Sequence, residues 1–322
     1  MAGSILRRLA SSVLLFFLVL TLTFALVHIA PGNPLRIYQG PHTTRAQMAA
    51  MEHAYGLDRP LPVQYLAWLK SVALEGNWGI SFSHQRPALA VIRDTIPNTV
   101  LLGLTTLLIQ YGLGLLLGVA AARRPDGLVD STIRIASMLL YSIPTFWLGL
   151  MSILLFHLQW HLLPASGMSS PGTSNAPLMT RAGDVALHLI LPASVLGISA
   201  GARLARFVRN SLLDALSQDY VRTARAKGLS EGRVVWLHGL RNSLVPLAQL
   251  LGMSLPSLLN GTLVVEVVFA WPGLGRLLFD AATARDFPLI LAGTAFGALL
   301  VIAGSLIADV LHRFADPRLR HG

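Results

Sequence analysis

Residues 97–122 read PNTVLLGLTTLLIQYGLGLLLGVAAA and contain no charged side chain. A helix needs about 20 consecutive apolar residues to cross a bilayer core, so this stretch is long enough to do so. Inside the bilayer every backbone amide has to be bonded within the protein, which leaves only a helix or a closed β-barrel. Continuous rather than alternating hydrophobicity over this length favours the helix. The stretch therefore predicts a membrane protein built from helices.

Five further stretches share this character. The 322 residues are 53% hydrophobic and 12% charged, about half the charged fraction of a typical soluble protein. The chain has no cysteine, which excludes disulfides, thiolate metal sites and cysteine nucleophiles. We predict an all-α polytopic protein with six transmembrane helices, at residues 9–30, 97–122, 135–160, 185–202 (a short one), 244–269 and 289–310.

The distribution of cations predicts the orientation of the chain. Lysine and arginine are enriched in the cytoplasmic segments of membrane proteins. Most of the 25 lysines and arginines fall in alternate connecting segments, which places both termini in the cytoplasm. The net charge of +10 is thus an orientation signal, and nucleic-acid binding is not expected. The predicted segments are an N-terminal part with the first helix (1–30), an external cap (31–96), a five-helix core (97–311) with a cytoplasmic loop (203–243), and a cytoplasmic tail (312–322).

Two connecting segments have a local character of their own. Residues 162–181 are rich in serine, proline and glycine, which predicts an irregular loop. Residues 62–74 (PVQYLAWLKSVAL) show helical periodicity and predict a short helix within the external cap. Its expected apolar face comprises Val63, Tyr65, Leu66, Leu69 and Leu74.

The most basic segment of the chain is DYVRTARAKGLSEGRVVWLHGLRNS, at residues 219–243. Asp219 is placed to cap the start of a helix, Gly228 to end it, and Ser230 to cap a second short helix. Helical spacing puts small apolar side chains on one side of the first helix and cations on another. Such a helix suits a groove on a partner protein, where arginine pairs with two acceptors at once, or a surface of anionic lipid headgroups. The apolar side comprises Tyr220, Val221 and Ala224, and the cations are Arg222, Arg225 and Lys227.

Within this segment, DYVRTARAKGL resembles the cytoplasmic coupling loop of bacterial ABC-importer permeases of the peptide and nickel family. Similar stretches run in matching order along nearly the whole chain, including YGLDRPLPVQYLAWL, GNWGISFSHQRP, YSIPTFWLGL, VVFAWPGLGRLL and ADPRLR. The long segment after the first helix resembles the first of the two permease subunits. The general Glu-Ala-Ala pattern of importers falls on Arg222, Thr223 and Ala224, so its acidic residue is absent, and its later Leu-Pro falls on Leu240 and Arg241.

The resemblance implies a type I ABC-importer permease fold in the bacterial inner membrane. It implies one half of a pathway for di- or oligopeptides, completed by a second homologous permease. It also implies two cytosolic ATPase subunits, which bind the ATP and magnesium, and an extracytoplasmic solute-binding protein. This chain itself contains no nucleotide-binding loop and no catalytic arrangement, so no enzyme activity and no cofactor are expected. The residues expected to dock against the ATPase are Tyr220, Arg222, Thr223, Ala224, Arg225, Ala226, Lys227, Gly228 and Leu229.

The stretch FAWPGLGRLL lies between the fifth and sixth predicted helices, on the outer side. Its aromatic residues, Phe269 and Trp271, suit the headgroup zone. The resemblance implies a structured loop at the mouth of the pathway. Glu266, one turn inside the membrane, is expected to face the pathway or to pair with a cation such as Arg276, since a buried carboxylate is costly. The outer-loop residues are Glu266, Trp271, Pro272, Gly273, Gly275 and Arg276.

Helix-breaking residues within the predicted spans indicate where helices bend. Proline and glycine kink membrane helices and allow close packing, so these positions are expected either to pack helices or to line a moving pathway. They are Pro144, Gly252, Pro256 and Gly261. His157 and His161, four residues apart, could share a metal, but nothing nearby offers a third ligand, so no metal site is expected.

Other functions fit the sequence less well. The cargo could be a nickel chelate or another small solute rather than a peptide. An ATP-independent carrier or channel would show buried charge pairs or repeat symmetry in its spans, and neither is visible in the sequence. A membrane assembly factor without a transport role would not need an ATPase.

Overall fold

The computed structural model describes residues 2–29, 44–54, 56–241 and 262–315, together with 243, 247 and 250. This part of the chain is mostly helical, which confirms the predicted class. Its one pairing of extended segments is an isolated bridge between Ile80 and Pro87. The helices are α1 (Ala2–Ile29), α2 (Arg45–Ala54), α3 (Leu61–Glu75), α4 (Ala88–Arg123), α5 (Leu128–Ser142), α6 (Thr145–Ser152), α7 (Leu178–Leu216), α8 (Asp219–Ala226), α9 (Glu231–Arg233), α10 (Leu263–Val268), α11 (Leu274–Ala284) and α12 (Phe287–Ala315), with π-helical segments Ile153–Gln159 after α6 and Val234–Leu240 after α9.

Four helices are long and apolar enough to cross a membrane. They are Ala10–Ile29, Ala88–Arg123, Leu178–Leu216 and Phe287–Ile307, and they match the first, second, fourth and sixth predicted spans. The fifth predicted span, 244–269, lies outside the described residues except at 247, 250 and from 262 onward.

The third predicted span is not one continuous helix. Helix α5 ends at Ser142, and a second helical stretch, Thr145–Gln159, leaves it at 98°. Pro144 stands at the break, as the N-cap of α6, with ψ of 133°. A proline disfavours helical geometry in the residue before it, and Ile143 is extended, with ψ of 129°. The pair is long enough to form one broken span or a re-entrant loop.

The fourth predicted span was too short. Helix α7 has 39 residues and continues through Arg203, Arg206 and Arg209 to Leu216. At 1.5 Å per residue it is about 58 Å long, well beyond a bilayer core of about 30 Å. Hydropathy finds only the apolar part of such a helix, because solvated arginines are compatible with helical structure but not with a membrane interior. Helix α4 also begins earlier than predicted, at Ala88, with Pro97 inside it.

Packing divides the chain into two units, one formed by Met1–Pro97 and Gly273–Ile302, the other by Asn98–Pro272 and Ala303–Gly322. In the first unit, the start of α4 packs with α11 and α12 through Val91, Ile92, Leu277 and Leu289. The short helix predicted in the cap is present as α3. Its predicted apolar face was wrong, because Val63, Leu66 and Leu74 are exposed. The helix instead joins α1 through Tyr65 and Trp68, which contact Phe24.

In the second unit, α4 and α7 approach each other closely. Val119, Ala122, Leu204, Val208 and Leu212 form one buried cluster between them. Small residues permit this approach, as in membrane helix pairs generally.

A larger side chain at Gly118 tests whether the close packing of α4 on α7 stabilises the protein. A Cβ atom there would lie 2.5 Å from Val208 Cβ and 2.7 Å from the Ala205 carbonyl oxygen. We expect Gly118→Ala to destabilise the protein by about 1–3 kcal/mol, the usual cost of overpacking. Gly112→Ala, on the same helix and with nothing within 4 Å of the added atom, is the matched control. Thermal unfolding followed by tryptophan fluorescence measures both, and equal midpoints would contradict the prediction.

Candidate functional site

The basic segment forms the predicted helix, turn and second helix. Helix α8 covers Asp219–Ala226, and its N-cap is Gln218, so Asp219 is the first helical residue rather than the cap. Gly228 ends the helix with φ of +79°, a left-handed conformation that favours glycine. Its amide donates to the Arg225 carbonyl at 2.9 Å. Ser230 is the N-cap of α9, as predicted, although its side chain makes no capping bond.

One face of α8 is buried. Val221 and Ala224 are 0% and 5% exposed and form a cluster with Val234, flanked by Leu216 and Leu229. Tyr220, predicted to share this face, is 40% exposed. Because the helix is seated by only two fully buried side chains, its attachment depends on both of them.

The opposite face carries the cations. Arg222, Thr223, Arg225, Ala226 and Lys227 are all exposed. This face therefore presents positive charge and small side chains to whatever lies beside it.

One of these cations is already engaged within the segment. The Arg225 guanidinium donates to both carboxylate oxygens of Glu231, at 2.8 Å from Nε and 3.3 Å from Nη2. This bond lowers the pKa of the Glu231 carboxyl, so the pair is charged at neutral pH. It joins α8 to α9 across the Gly228 turn, whereas Arg222 has only a long contact to Asp219, at 3.4 Å.

The support beneath α8 connects it to α7. Val234 belongs to the cluster under α8, and the adjacent Val235 belongs to the α4–α7 cluster. Gly239 lies so close to α7 that an added Cβ would be 2.7 Å from Leu212 Cδ1. The π-helical segment Val234–Leu240 is thus packed on both elements, so a displacement of α8 has a continuous path to α7.

A buried ion pair joins α5 to α7, and the sequence did not reveal it. Asp130 is fully buried. The Arg209 guanidinium donates to its two carboxylate oxygens from Nε and Nη2, each at 2.6 Å, and the Asp126 amide donates to Oδ2 at 2.9 Å. The third predicted span begins at residue 135, so Asp130 lay outside the predicted spans and gave no signal that it needed a partner.

Helices α4, α5, α6 and α7 also line a half-open cavity of about 530 Å³ in the second unit. Its wall is partly polar, unlike a surface that faces lipid tails. The Arg203 guanidinium lies over the Tyr141 ring, 5.4 Å from its centroid. The polar lining residues are Thr106, Gln110, Tyr141, Thr145, Ser199, Arg203 and Thr262.

The outer loop is anchored inside the protein. Phe269 and Trp271 are 2% and 0% exposed, so both side chains pack inside the protein and do not contact lipid headgroups as expected. The Trp271 indole donates to the Asn98 carbonyl at 2.9 Å, and the Asn98 amide donates to the Pro272 carbonyl at 2.9 Å. This reciprocal pair fixes the loop to α4.

Glu266 is fully buried in the second unit. Its Oε1 accepts a hydrogen bond from the Thr99 hydroxyl at 2.9 Å. In the first unit, Gly273 is the N-cap of α11, Gly275 is buried within it, and Arg276 lies 3.7 Å from Asp280. The pairing of Glu266 with Arg276 stays a prediction.

The remaining predicted residues are placed as follows. Gly252, Pro256 and Gly261 lie outside the described residues. His157 Nδ1 is 2.9 Å from the Leu163 carbonyl oxygen. His161 lies beyond the end of the π-helical segment, with φ of 53°, so the two histidines do not share a helical face. In the described residues, histidine and acidic side chains form no group of three that could hold a metal.

The Asp286 carboxylate holds the segment around Ser81 and Ser83 in place in the first unit. Asp286 is fully buried, and its Oδ2 accepts from the Ser83 amide at 2.9 Å and from the hydroxyls of Ser81 and Ser83 at 2.5 and 2.6 Å. All three donors bind one oxygen atom.

We expect Asp286→Asn to weaken the hydrogen bonds that hold Ser81 and Ser83, because an amide has one acceptor oxygen and no charge. Hydrogen bonds to a charged group contribute about 1.5–3 kcal/mol, so the Ser83 amide should exchange its hydrogen at least about tenfold faster. Hydrogen–deuterium exchange of the segment around Ser83 measures this. Asp280→Asn, at an exposed position of α11, is the control, and equal exchange in both variants would contradict the role.

Comparisons with known proteins identify the family of this chain. Residues 114–321 match the family described as binding-protein-dependent transport system inner membrane component, and residues 1–103 match its N-terminal counterpart. The chain is 38% identical, over the whole of both chains, to the oligopeptide transport system permease protein AppB of Bacillus subtilis. It is 39% identical to the di/tripeptide transport system permease protein DppB of Pseudomonas aeruginosa, covering 100% of this chain and 99% of that one.

One solved structure shows the same fold. It is that of the MetNI methionine ABC transporter in inward-facing conformations, with a TM-score of 0.50 and 18% identity over 69% of this chain and 97% of that one.

Proposed function

Because this chain belongs to the family of binding-protein-dependent transport system inner membrane components, we propose that it forms half of the pathway of an ATP-driven importer of di- or oligopeptides. The chain is an inner-membrane permease subunit. The peptide cargo is supported by the names of two full-length relatives, an oligopeptide and a di/tripeptide permease. We further propose six membrane spans with both termini in the cytoplasm, the bent pair α5 and α6 serving as the third.

The proposed complex contains partners that supply what this chain lacks. A second homologous permease would complete the pathway, and an extracytoplasmic solute-binding protein would deliver the peptide to the outer side. Two ATPase subunits would bind ATP and magnesium and dock against α8. The family of this chain consists of transport components rather than enzymes. The partner subunits would therefore supply ATP binding and hydrolysis.

The observation that carries the proposal is the seating of α8. Its buried face, Val221 and Ala224, rests on the segment that packs onto α7, while its cationic face is exposed. A lipid-bound loop explains the charges, but it does not require a rigid support leading to a membrane helix. A docked protein that moves α8 would move α7 with it, because packed elements shift as rigid bodies. Movement of α7 would change the pathway walls that it forms.

Gly228 tests the docking. We expect Gly228→Val to lower co-purification of the ATPase subunits by roughly fivefold to thirtyfold, since a side chain in the left-handed region costs about 1–2 kcal/mol. Gly228→Asn is the control, because asparagine tolerates this conformation. Nothing lies within 4 Å of the added Cβ in either variant, so crowding within the chain does not differ. Equal ATPase binding by Gly228→Val and the wild type would remove the support for docking at this turn.

The cargo is tested by uptake into proteoliposomes that contain the complete importer. We expect ATP-dependent uptake of a labelled dipeptide, competed by unlabelled dipeptide and not by a nickel chelate. Uptake of labelled nickel that dipeptides do not compete would replace the peptide assignment.

A further inference from the structure

The cavity lined by α4, α5, α6 and α7 differs from an ordinary packing defect. Its volume of about 530 Å³ lies within the range of small-molecule sites, about 300–1,000 Å³. Its wall combines apolar side chains with a few polar ones, among them Gln110, Tyr141, Ser199 and Arg203. This composition is typical of sites that orient a solute through a small number of polar contacts.

Arg203 supplies the cavity with a positive charge that the described residues do not neutralise. Arg209, six residues further along α7, is paired with Asp130 in a bidentate ion pair. Arg203 has no ion pair within the described part of the chain, and its guanidinium stacks on Tyr141 at 5.4 Å. The stacking orients the guanidinium but leaves its N–H donors available. The Arg203 side chain is exposed, so a solute that enters the cavity can reach it.

A second polar group on the same wall also lacks a partner. Thr106 is 4% exposed, and its hydroxyl oxygen has no hydrogen-bond partner in the described structure. Buried hydroxyls are normally bonded, because an unbonded one has lost the hydrogen bonds that water would make with it. Thr106 lines the same cavity as Arg203, so the cavity holds an available cation and an unsatisfied hydroxyl together.

We propose that this cavity is a transit site for a solute that carries a carboxylate, in which Arg203 binds the C-terminal carboxylate of a peptide as it passes through. A guanidinium matches a carboxylate with two parallel hydrogen bonds, and the Thr106 hydroxyl is available for a second polar group of the solute. The inference deepens the proposed peptide import and rests on it. It assigns to the permease a contact with a feature that all linear peptides share, whatever their side chains.

The absence of cysteine from the chain allows a direct test. Ser199→Cys places the only thiol of this chain on the cavity wall, and its labelling is followed on this subunit of the complete importer reconstituted in proteoliposomes. We measure the rates of its labelling by a negatively and a positively charged methanethiosulfonate reagent. Arg203→Gln is expected to lower the ratio of anionic to cationic labelling by about tenfold, since nearby charges at a protein surface interact by several kcal/mol. Arg206→Gln, exposed on the same helix and outside the cavity lining, should leave the ratio unchanged.

The second arm identifies the anion. A dipeptide with a free carboxylate should slow labelling of Ser199→Cys, whereas its C-terminal amide should not. Uptake of the free dipeptide should fall about tenfold in Arg203→Gln and that of the amide should not change. An unchanged labelling ratio, or equal effects on both peptides, overturns the inference. So does a ratio that varies with the anionic lipid content but not with peptide, because a phosphate headgroup would then occupy the site.

The two proposals fail in distinguishable ways. An importer that transports dipeptide but shows no Arg203-dependent preference for anions refutes the transit site alone. A complex that keeps the preference for anions but transports neither peptide refutes peptide import, and with it the assignment of the carboxylate.

Discussion

Replacing Asp130 with alanine is expected to lower the free energy of unfolding by about 3–5 kcal/mol, the usual cost of breaking a buried ion pair from one side. The variant leaves the Arg209 guanidinium, 16% exposed, without the carboxylate that accepts two hydrogen bonds from it. It also removes the acceptor of the Asp126 amide. Thermal unfolding of the purified permease in detergent, followed by fluorescence of its six tryptophans, measures the loss.

Two further variants separate this effect from a general loss of charge. Asp94→Ala breaks the exposed pair between Arg86 and Asp94, and it should cost no more than about 1 kcal/mol. Replacing both partners of the buried pair, as Asp130→Leu with Arg209→Met, should recover most of the stability, because apolar residues of similar volume can substitute for buried pairs. If Asp130→Ala were no more destabilising than Asp94→Ala, the pair would not hold α5 to α7.

Val221→Asp is expected to abolish binding of the ATPase subunits and transport while the membrane-spanning part of the protein remains folded. Val221 lies on the buried face of α8 and is fully buried, and it packs in an apolar cluster with Val234 and Leu216. Burying an unpaired charge costs several kcal/mol, so α8 should detach from Val234 and Leu216. A loss of about 3 kcal/mol corresponds to more than about 100-fold in affinity.

The measurements are ATPase co-purification and thermal unfolding of the same preparation. Ser217→Asp adds the same charge at an exposed position just before α8 and should bind the ATPase normally. Ala224→Ser, which adds one polar atom to the same buried face, should have an intermediate effect. Normal ATPase binding by Val221→Asp would show that docking does not depend on the seating of α8.

Local patterns predicted the helices and the turn well. Continuous apolar runs marked four of the spans, because a bilayer-crossing helix needs little more than length and hydrophobicity. Gly228 marked the end of α8 because few other residues adopt its backbone conformation without strain. Pro144 marked a break, although the 98° angle between its two helices depends on packing that no local pattern contains.

The errors have physical causes of their own. Trp271 was assigned to the lipid headgroups because an amphipathic indole suits both that zone and a protein interior with an available carbonyl, and here it bonds to Asn98. The ion pair between Asp130 and Arg209 joins residues 79 positions apart, so no local pattern contains it. The cavity was missed for the same reason, since its wall is assembled from residues of α4, α5, α6 and α7 that are far apart in the sequence.

A crosslink from the exposed face of α8 tests the coupling most directly. Thr223 is exposed between Arg222 and Ala224, and Thr223→Cys is the only thiol in a chain without native cysteine. A photoactivatable maleimide attached there, in membranes containing the whole importer, is expected to capture the ATPase subunit. A probe on Ser83→Cys, in the segment that we predict to be external, should not. Capture of phospholipid alone from Thr223→Cys would contradict the account.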